Sequence, residues 1–80
     1  MAKYDPLRDH LEADGKPIVT MSFAAISRIV GGLPRSASEY RAWWSNDRSS
    51  SRHVQSRAWI AAGYVAEPDL ASALVQFRKA

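Results

Sequence analysis

The residue types best suited to bind an anion or a nucleic-acid base lie in the stretch YRAWWSNDRSSSRHVQSRAW at positions 40–59. Arginine pairs with phosphate or a guanine edge through two hydrogen bonds, asparagine and glutamine pair with adenine, and serine contacts phosphate. The residues predicted to read base edges are Asn46, Arg48, Ser51, Arg52, His53, Gln55 and Ser56. The residues predicted to contact phosphate are Arg35, Arg41, Ser49, Ser50, Arg57, Arg78 and Lys79.

The net charge of the chain is concentrated in the same region. Residues 35–60 carry five arginines against two acidic residues, which gives 5 − 2 = +3, the full net charge of the chain. The remaining residues carry six basic and six acidic side chains. Every basic residue of the segment is arginine, whose planar fork suits phosphate and guanine better than the lysine ammonium does. The excess favours an anionic partner, although a surface arginine is also commonly no more than a solvated charge.

Several of these side chains have an equally reasonable structural role. Asn46 and Gln55 can be buried polar residues that tie a loop to the neighbouring helices. The tryptophans at 43, 44 and 59 can stack on bases, but a chain of 80 residues has a thin core that needs their bulk. We therefore expect at least two of the three to be buried, with Trp44 the best candidate and Trp59 the least certain.

Composition argues against several other functions. The chain has no cysteine, so it lacks disulfides and cysteine-based zinc sites, and His10 and His53 are too far apart to indicate a metal motif. His53 and Asp47 lack further acidic neighbours for acid–base catalysis. No window approaches the ~18 apolar residues of a membrane span, and the start MAKYDPLRDH lacks a signal-peptide core. We expect a cytoplasmic, nucleoid-associated protein without enzymatic activity, cofactor or metal.

Helix and strand signals alternate along the chain. Asp5 and Pro6 begin a helix that ends at Gly15, and Ser36 with Glu39 fits a capping box. The predicted elements are helices at 5–14, 22–30, 36–45 and 52–62, a strand at 16–21, and hairpin strands at 64–70 and 74–78. The third helix is predicted to pack through Ala37, Tyr40 and Trp44. The fourth is predicted to pack through its small residues and to present the opposite, polar side, which comprises Arg52, Gln55, Ser56 and Trp59.

These elements predict one α+β domain over residues 1–80. The early strand needs partners and is expected to join the C-terminal hairpin in a three-stranded antiparallel sheet. The order of elements resembles that of winged-helix domains, with one extra short helix before the hairpin. The connection 31–35 is longer than the tight turn of a helix-turn-helix. This difference leaves open whether helix 36–45 or helix 52–62 would enter the DNA groove.

Dispersed motifs also resemble a family of small bacterial and phage domains of uncharacterised function. The motifs, in chain order, are K-Y-x-P-L at 3–7, G-x-L-P at 31–34, W-W-x-N at 43–46, Q-x-x-A-W at 55–59, A-G-Y at 62–64 and an apolar-x-F-R strand at 75–78. The resemblance implies membership of that family and no particular activity.

Taken together, the sequence predicts a small double-stranded DNA-binding protein that acts as a transcriptional regulator or an accessory architectural factor. A homodimer or a cooperative array on DNA is the expected assembly, without a membrane or a small-molecule substrate. The alternative is a protein-interaction module, an accessory protein of a phage or defence system, that docks its arginine and tryptophan surface onto an acidic protein.

Overall fold

The computed structural model describes residues 2–46 and 54–80. Its elements, in chain order, are α1 (Asp5–Asp14), β1 (Ile18–Ser22), α2 (Phe23–Val30), α3 (Arg35–Glu39), a 3-10 turn (Arg41–Trp44), α4 (Ser56–Ala61), β2 (Tyr64–Asp69) and β3 (Leu74–Lys79). The α+β class is confirmed, and the early strand joins the hairpin in a three-stranded antiparallel sheet as predicted. The closer likeness to winged-helix domains stays a prediction.

The sheet has β3 at its centre, with β1 and β2 as its two edges. Phe77 on β3 is registered between Val19 on β1 and Ala66 on β2, and all three side chains are buried. Residues alternate between the two faces of a strand, so the inner face of the sheet is apolar and the outer face carries the intervening residues. Pro68 lies on the edge strand β2, where its missing N–H removes no bond to β3.

Local signals set the ends of the first two helices. The Ser22 hydroxyl accepts a hydrogen bond from Ala25 N–H at 3.0 Å and caps the start of α2. Gly31 ends α2 in the left-handed conformation at φ +79°, where its N–H bonds to Ser27 O. The strand β1 therefore leads into α2 without a loop, and α2 is held close to the sheet. No helix within the described ranges has the length and apolar character needed to cross a membrane.

An aromatic cluster occupies the centre of the core. Trp44 stacks on Phe23 at 5.5 Å and on Trp59 at 5.6 Å between ring centroids, and Phe77 lies 5.9 Å from Trp59. Trp44 and Trp59 are buried, whereas Trp43 is half-buried. The expectation that at least two tryptophans form the core is confirmed, and Trp59, the least certain of them, is fully buried.

The predicted third helix is broken in two. α3 ends at Glu39 because Tyr40 adopts an extended conformation at φ −124° and ψ 118°, and a 3-10 turn follows. The turn brings Trp44 back under α3, where its indole N–H donates to Ala37 O at 2.8 Å. The capping box at Ser36 is also wrong, because Pro34 occupies the N-cap position and no side chain caps α3.

Candidate nucleic-acid interface

Asn46, predicted to read a base edge, is exposed as a residue, but its side-chain amide is bonded to the protein. Its side-chain oxygen accepts hydrogen bonds from Trp59 Nε1 at 2.9 Å and from Ala66 N at 2.8 Å. Its side-chain nitrogen donates to Ala66 O at 3.0 Å. The amide thus pairs with the main chain of β2 as an additional strand residue would, and it also satisfies the buried indole N–H. Reading a base would require Asn46 to give up these bonds, and its base-reading role stays a prediction.

Gln55 and Ser56 are likewise directed inward. Gln55 is only 5% exposed, and its side-chain nitrogen donates to Trp43 O at 2.8 Å. Ser56 is buried at the start of α4. Each side chain would have to leave its buried position to reach a base. The alternative role for Asn46 and Gln55, in which they tie the segment between them to the helices, agrees with these contacts.

The orientation of α4 differs from the predicted one, although Ala58 is buried as predicted. The helix buries Ser56, Ala58 and Trp59, whereas Val54, just before it, and Ala61 are exposed. The helical periodicity of α4 is compatible with burial of either its small-residue side or its polar side. The large indole of Trp59 contributes the most hydrophobic free energy when buried, which favours the second. Helix α4 begins at Ser56 rather than at residue 52, and positions 52 and 53 lie outside the described residues.

Arg57 lies on the outward side of α4. It is exposed and makes no ion pair with any other described residue. The N-terminal part of α1 lies opposite, and a groove of about 580 Å³ separates the two helices. The floor of this groove includes Tyr4, Val54 and Ala61, so Arg57 adds a cation to the rim of an apolar depression.

Two other cations at this groove already have partners. Arg8 contacts three carboxylates on α1, those of Asp5, Asp9 and Glu12. The hydrogen bond to Asp9 and the charges of the neighbouring carboxylates raise the pKa of Arg8 above its ordinary value. Lys3 Nζ donates to Val30 O at 3.2 Å, at the C-terminal end of α2. Arg57 is therefore the cation of this groove with no internal partner among the described residues.

Arg35 and Arg41, both predicted to contact phosphate, each have a partner within the protein. Arg35 is highly exposed and pairs with Glu39 across one turn of α3, with Nε 2.6 Å from Oε1. Arg41 donates from Nη1 to Pro68 O at 2.9 Å, on the outer edge of β2. Both residues are exposed. An exposed pair such as Arg35–Glu39 is worth only about 0–1 kcal/mol, so a phosphate can compete with the carboxylate.

Arg78 and Lys79 extend from the end of β3. Arg78 pairs with Glu67 on the adjacent strand at 2.9 Å and also lies 3.4 Å from the Gln76 side-chain oxygen. The Lys79 side chain is exposed, while its main-chain N–H donates to Pro17 O at 2.8 Å. Lys79 is thus the less constrained charge of the two, and Arg78 is held on the outer face of the sheet.

The remaining candidates fall on residues outside the described ranges. They are Arg48, Ser49, Ser50, Ser51, Arg52 and His53. The residues on either side of this segment are well defined: Asn46 is bound to β2 and Trp59, and Gln55 is bound to Trp43. Both attachment points lie against the same aromatic cluster.

Tyr40 belongs to this surface although the sequence assigned it to the core. Its side chain is 62% exposed, because the backbone turns at Tyr40 and carries it off the face shared by Ala37 and Trp44.

Comparison with known proteins gives one match. No curated protein and no solved structure matches the chain. The family described as "Domain of unknown function (DUF7662)" matches residues 4–80, which covers nearly all of the described fold and both of its anchored polar residues. The chain belongs to this domain family of unknown function.

Proposed function

We propose that the protein binds double-stranded DNA through the surface formed by α4, the segment before it and the neighbouring arginines. It would act as a small regulator or an accessory architectural factor in the cytoplasm of a bacterial cell. The observation that carries the proposal is the placement of charge: residues 35–60 hold the whole net charge of +3, and every basic side chain there is arginine.

The anchoring of Asn46 and Gln55 supports this proposal in a modified form. Asn46 is bonded to Ala66 and Trp59, and Gln55 to Trp43, so these two amides have structural partners and the proposal gives base contact no part in them. The sequence of that segment holds two arginines, three consecutive serines and a histidine, against one aspartate. An arginine- and serine-rich composition suits phosphate contact, because both side chains bond to phosphate oxygens.

Arg57 extends the same surface along α4. It follows Gln55 by two residues and is exposed, so a duplex can approach it from solvent. A single module of this size buries about 600–1,000 Å² on DNA, at the lower end of specific protein–DNA interfaces. Sequence-specific binding therefore calls for two copies on neighbouring half-sites.

A salt titration with a matched pair of variants tests this surface. Arg57→Gln removes one exposed, unpaired charge from the proposed interface, and Arg28→Gln removes one exposed charge from the last turn of α2. We expect wild-type protein to bind a fluorescent duplex of about 25 base pairs at ~50 mM salt, with affinity falling steeply towards ~200 mM. Arg57→Gln should flatten the slope of log K against log salt by about 0.9, the value for one phosphate contact, while Arg28→Gln leaves it nearly unchanged.

Two outcomes would contradict the proposal. Absence of binding at ~50 mM salt, where phosphate contacts dominate, refutes DNA binding itself. Equal effects of the Arg57 and Arg28 substitutions would show that net charge matters and the location of the charge does not. Circular dichroism of both variants, compared with wild type, verifies that each is folded before the titrations are interpreted.

A second candidate function rests on Tyr40. Tyrosine and arginine are enriched among the residues that dominate protein–protein binding energies, and Tyr40 is exposed between Arg35 and Arg41. This arrangement favours an acidic protein as partner. A pull-down before and after nuclease treatment separates the two functions, because an acidic protein stays bound without nucleic acid, and Tyr40→Ala then reduces its recovery while leaving the DNA salt slope unchanged.

A further inference from the structure

The two edges of the sheet differ in how their main-chain groups are used. Residues 64, 66 and 68 of β2 direct their main-chain groups away from β3, as the register of the hairpin requires. The outward N–H and C=O of Ala66 both bond to the Asn46 side chain, and Pro68 O accepts from Arg41. Pro68 has no N–H to offer. The edge of β2 is therefore closed to an additional strand.

The edge formed by β1 has no such protection. The ladder between β1 and β3 bonds Pro17 O to Lys79 N and Phe23 N to Ala73 O, so the odd-numbered residues face β3. By the same alternation, the main-chain groups of Ile18 and Thr20 point outward. Across residues 2–46 and 54–80, neither residue's outward groups have a hydrogen-bond partner.

The side chains of β1 also lack the usual features of a protected edge. The strand reads IVTMS, without lysine, proline or any charge. Natural edge strands are commonly interrupted by such residues, because an open edge is a template for another strand. Ile18 is 50% exposed at this edge, so part of its apolar side chain is available to a partner.

We propose that two copies of the chain pair through β1, antiparallel about a two-fold axis at Val19, and join their three-stranded sheets into one continuous sheet. Ile18 of each copy then lies opposite Thr20 of the other and exchanges main-chain hydrogen bonds with it. No like charges meet in this register, because β1 carries none. The β-branched side chains of Ile18 and Thr20 are favourable cross-strand neighbours, and Ile18 loses part of its exposure.

The closed edge of β2 sets the size of the assembly. With one open edge and one blocked edge per copy, pairing through β1 uses every available strand, so the assembly stops at two copies and does not extend into a fibre. A second copy fits this edge better than an unrelated peptide, since a two-fold pairing uses the same uncharged strand twice. The predicted interface is small, which places it in the weak, transient class below about 1,200 Å².

Sedimentation velocity from about 10 µM to about 1 mM tests the pairing, a range that reports weak dissociation constants. We expect the dimer fraction of wild-type protein to rise across this range. Thr20→Lys brings like charges together near the axis, and Thr20→Pro removes the outward N–H, so each should raise the dissociation constant at least about tenfold. Both changes are compatible with the folded sheet, because Thr20 is exposed and its N–H takes no part in the ladder with β3.

Gln76→Lys is the matched control. Gln76 is registered next to Thr20 on the same outer face. It lies on the central strand β3, which is already paired with β1 and β2 and cannot pair with a second copy. This variant should dimerise as wild type does. A wild-type protein that stays monomeric at about 1 mM, or a dimer unaffected by both Thr20 variants, overturns the proposal. The inference does not rest on DNA binding, since the ultracentrifuge experiment contains no DNA and the Arg57 titration reports on a different surface.

Discussion

The side chain of Asn46 provides the sharpest test of how the core and the charged segment are connected. Replacing it with alanine removes three hydrogen bonds, one from the Trp59 indole and two with the main chain of Ala66. Trp59 is fully buried, so its N–H is left without a partner. An unpaired buried donor costs about 1–3 kcal/mol, and losing the bonds to Ala66 adds about 1 kcal/mol. We expect Asn46→Ala to lower the free energy of unfolding by about 3 kcal/mol.

This loss is large for a chain of 80 residues. Domains typically have about 0.05–0.15 kcal/mol of stability per residue, which gives roughly 4–12 kcal/mol here. Urea unfolding followed by circular dichroism measures the change directly. Ser38→Ala is the control, because that hydroxyl is exposed and makes one local bond to Arg35 O. The control should stay within about 0.5 kcal/mol of wild type.

A double-mutant cycle identifies which bond is responsible. Trp59→Phe keeps an aromatic ring in the core but removes the N–H that Asn46 accepts. In the Trp59→Phe background, Asn46→Ala no longer removes the bond to the indole N–H. The double variant should therefore be destabilised by at least about 1 kcal/mol less than the sum of the two single effects. Additive effects, or a loss below about 1 kcal/mol for Asn46→Ala alone, would refute the role assigned to the amide.

Two further predictions concern buried polar groups elsewhere in the fold. Gln55→Ala should lower Tm by about 4–8 °C in a thermal melt, since losing the bond to Trp43 O costs about 1 kcal/mol or more, whereas the neighbouring exposed Val54→Ala should leave Tm nearly unchanged. Burial, with a smaller contribution from Asp14, raises the pKa of Tyr64 above 10.0. Its hydroxyl donates to Lys16 O, so the stability it contributes is complete below pH 10 and is lost as the pH rises through the folded-state value. Unfolding free energies from pH 8 to 11 should therefore fall more steeply for wild type than for Tyr64→Phe, and parallel curves would contradict the assignment.

The sheet could be predicted from the sequence because its signals are local. Alternation of apolar and polar residues marks β3, and the β-branched run before Ser22 marks β1. A single early strand has one plausible set of partners in a chain this short, which also determines the sheet. The first two helices follow from equally local signals, the proline at position 6 and the glycines at positions 15 and 31.

The arrangement of residues 36–62 was not predictable in the same way. Helical periodicity in α4 permits burial of either its small residues or its polar ones, and the choice depends on tertiary contacts. From the sequence alone, Gln55 and Ser56 are expected on an exposed polar side. A polar group is buried without a large cost only when it has a hydrogen-bond partner, and the sequence does not show these partners. The partner of Gln55 is a main-chain carbonyl, at Trp43, which the identity of the residue cannot reveal.

The inward orientation of these polar residues changes where a functional surface can lie. Asn46 and Gln55 hold the ends of an arginine- and serine-rich segment, and Asn46 at the same time closes the β2 edge of the sheet. Asn46 is thus bonded to the blocked edge, while the open edge at β1 lies on the other side of β3. Pairing through β1 would therefore take place away from Asn46 in both copies. A dimer with two DNA-binding surfaces binds a duplex more tightly than one copy does. Thr20→Pro, which adds no charge, should therefore weaken DNA binding at high protein concentration and leave the salt slope of a single copy unchanged.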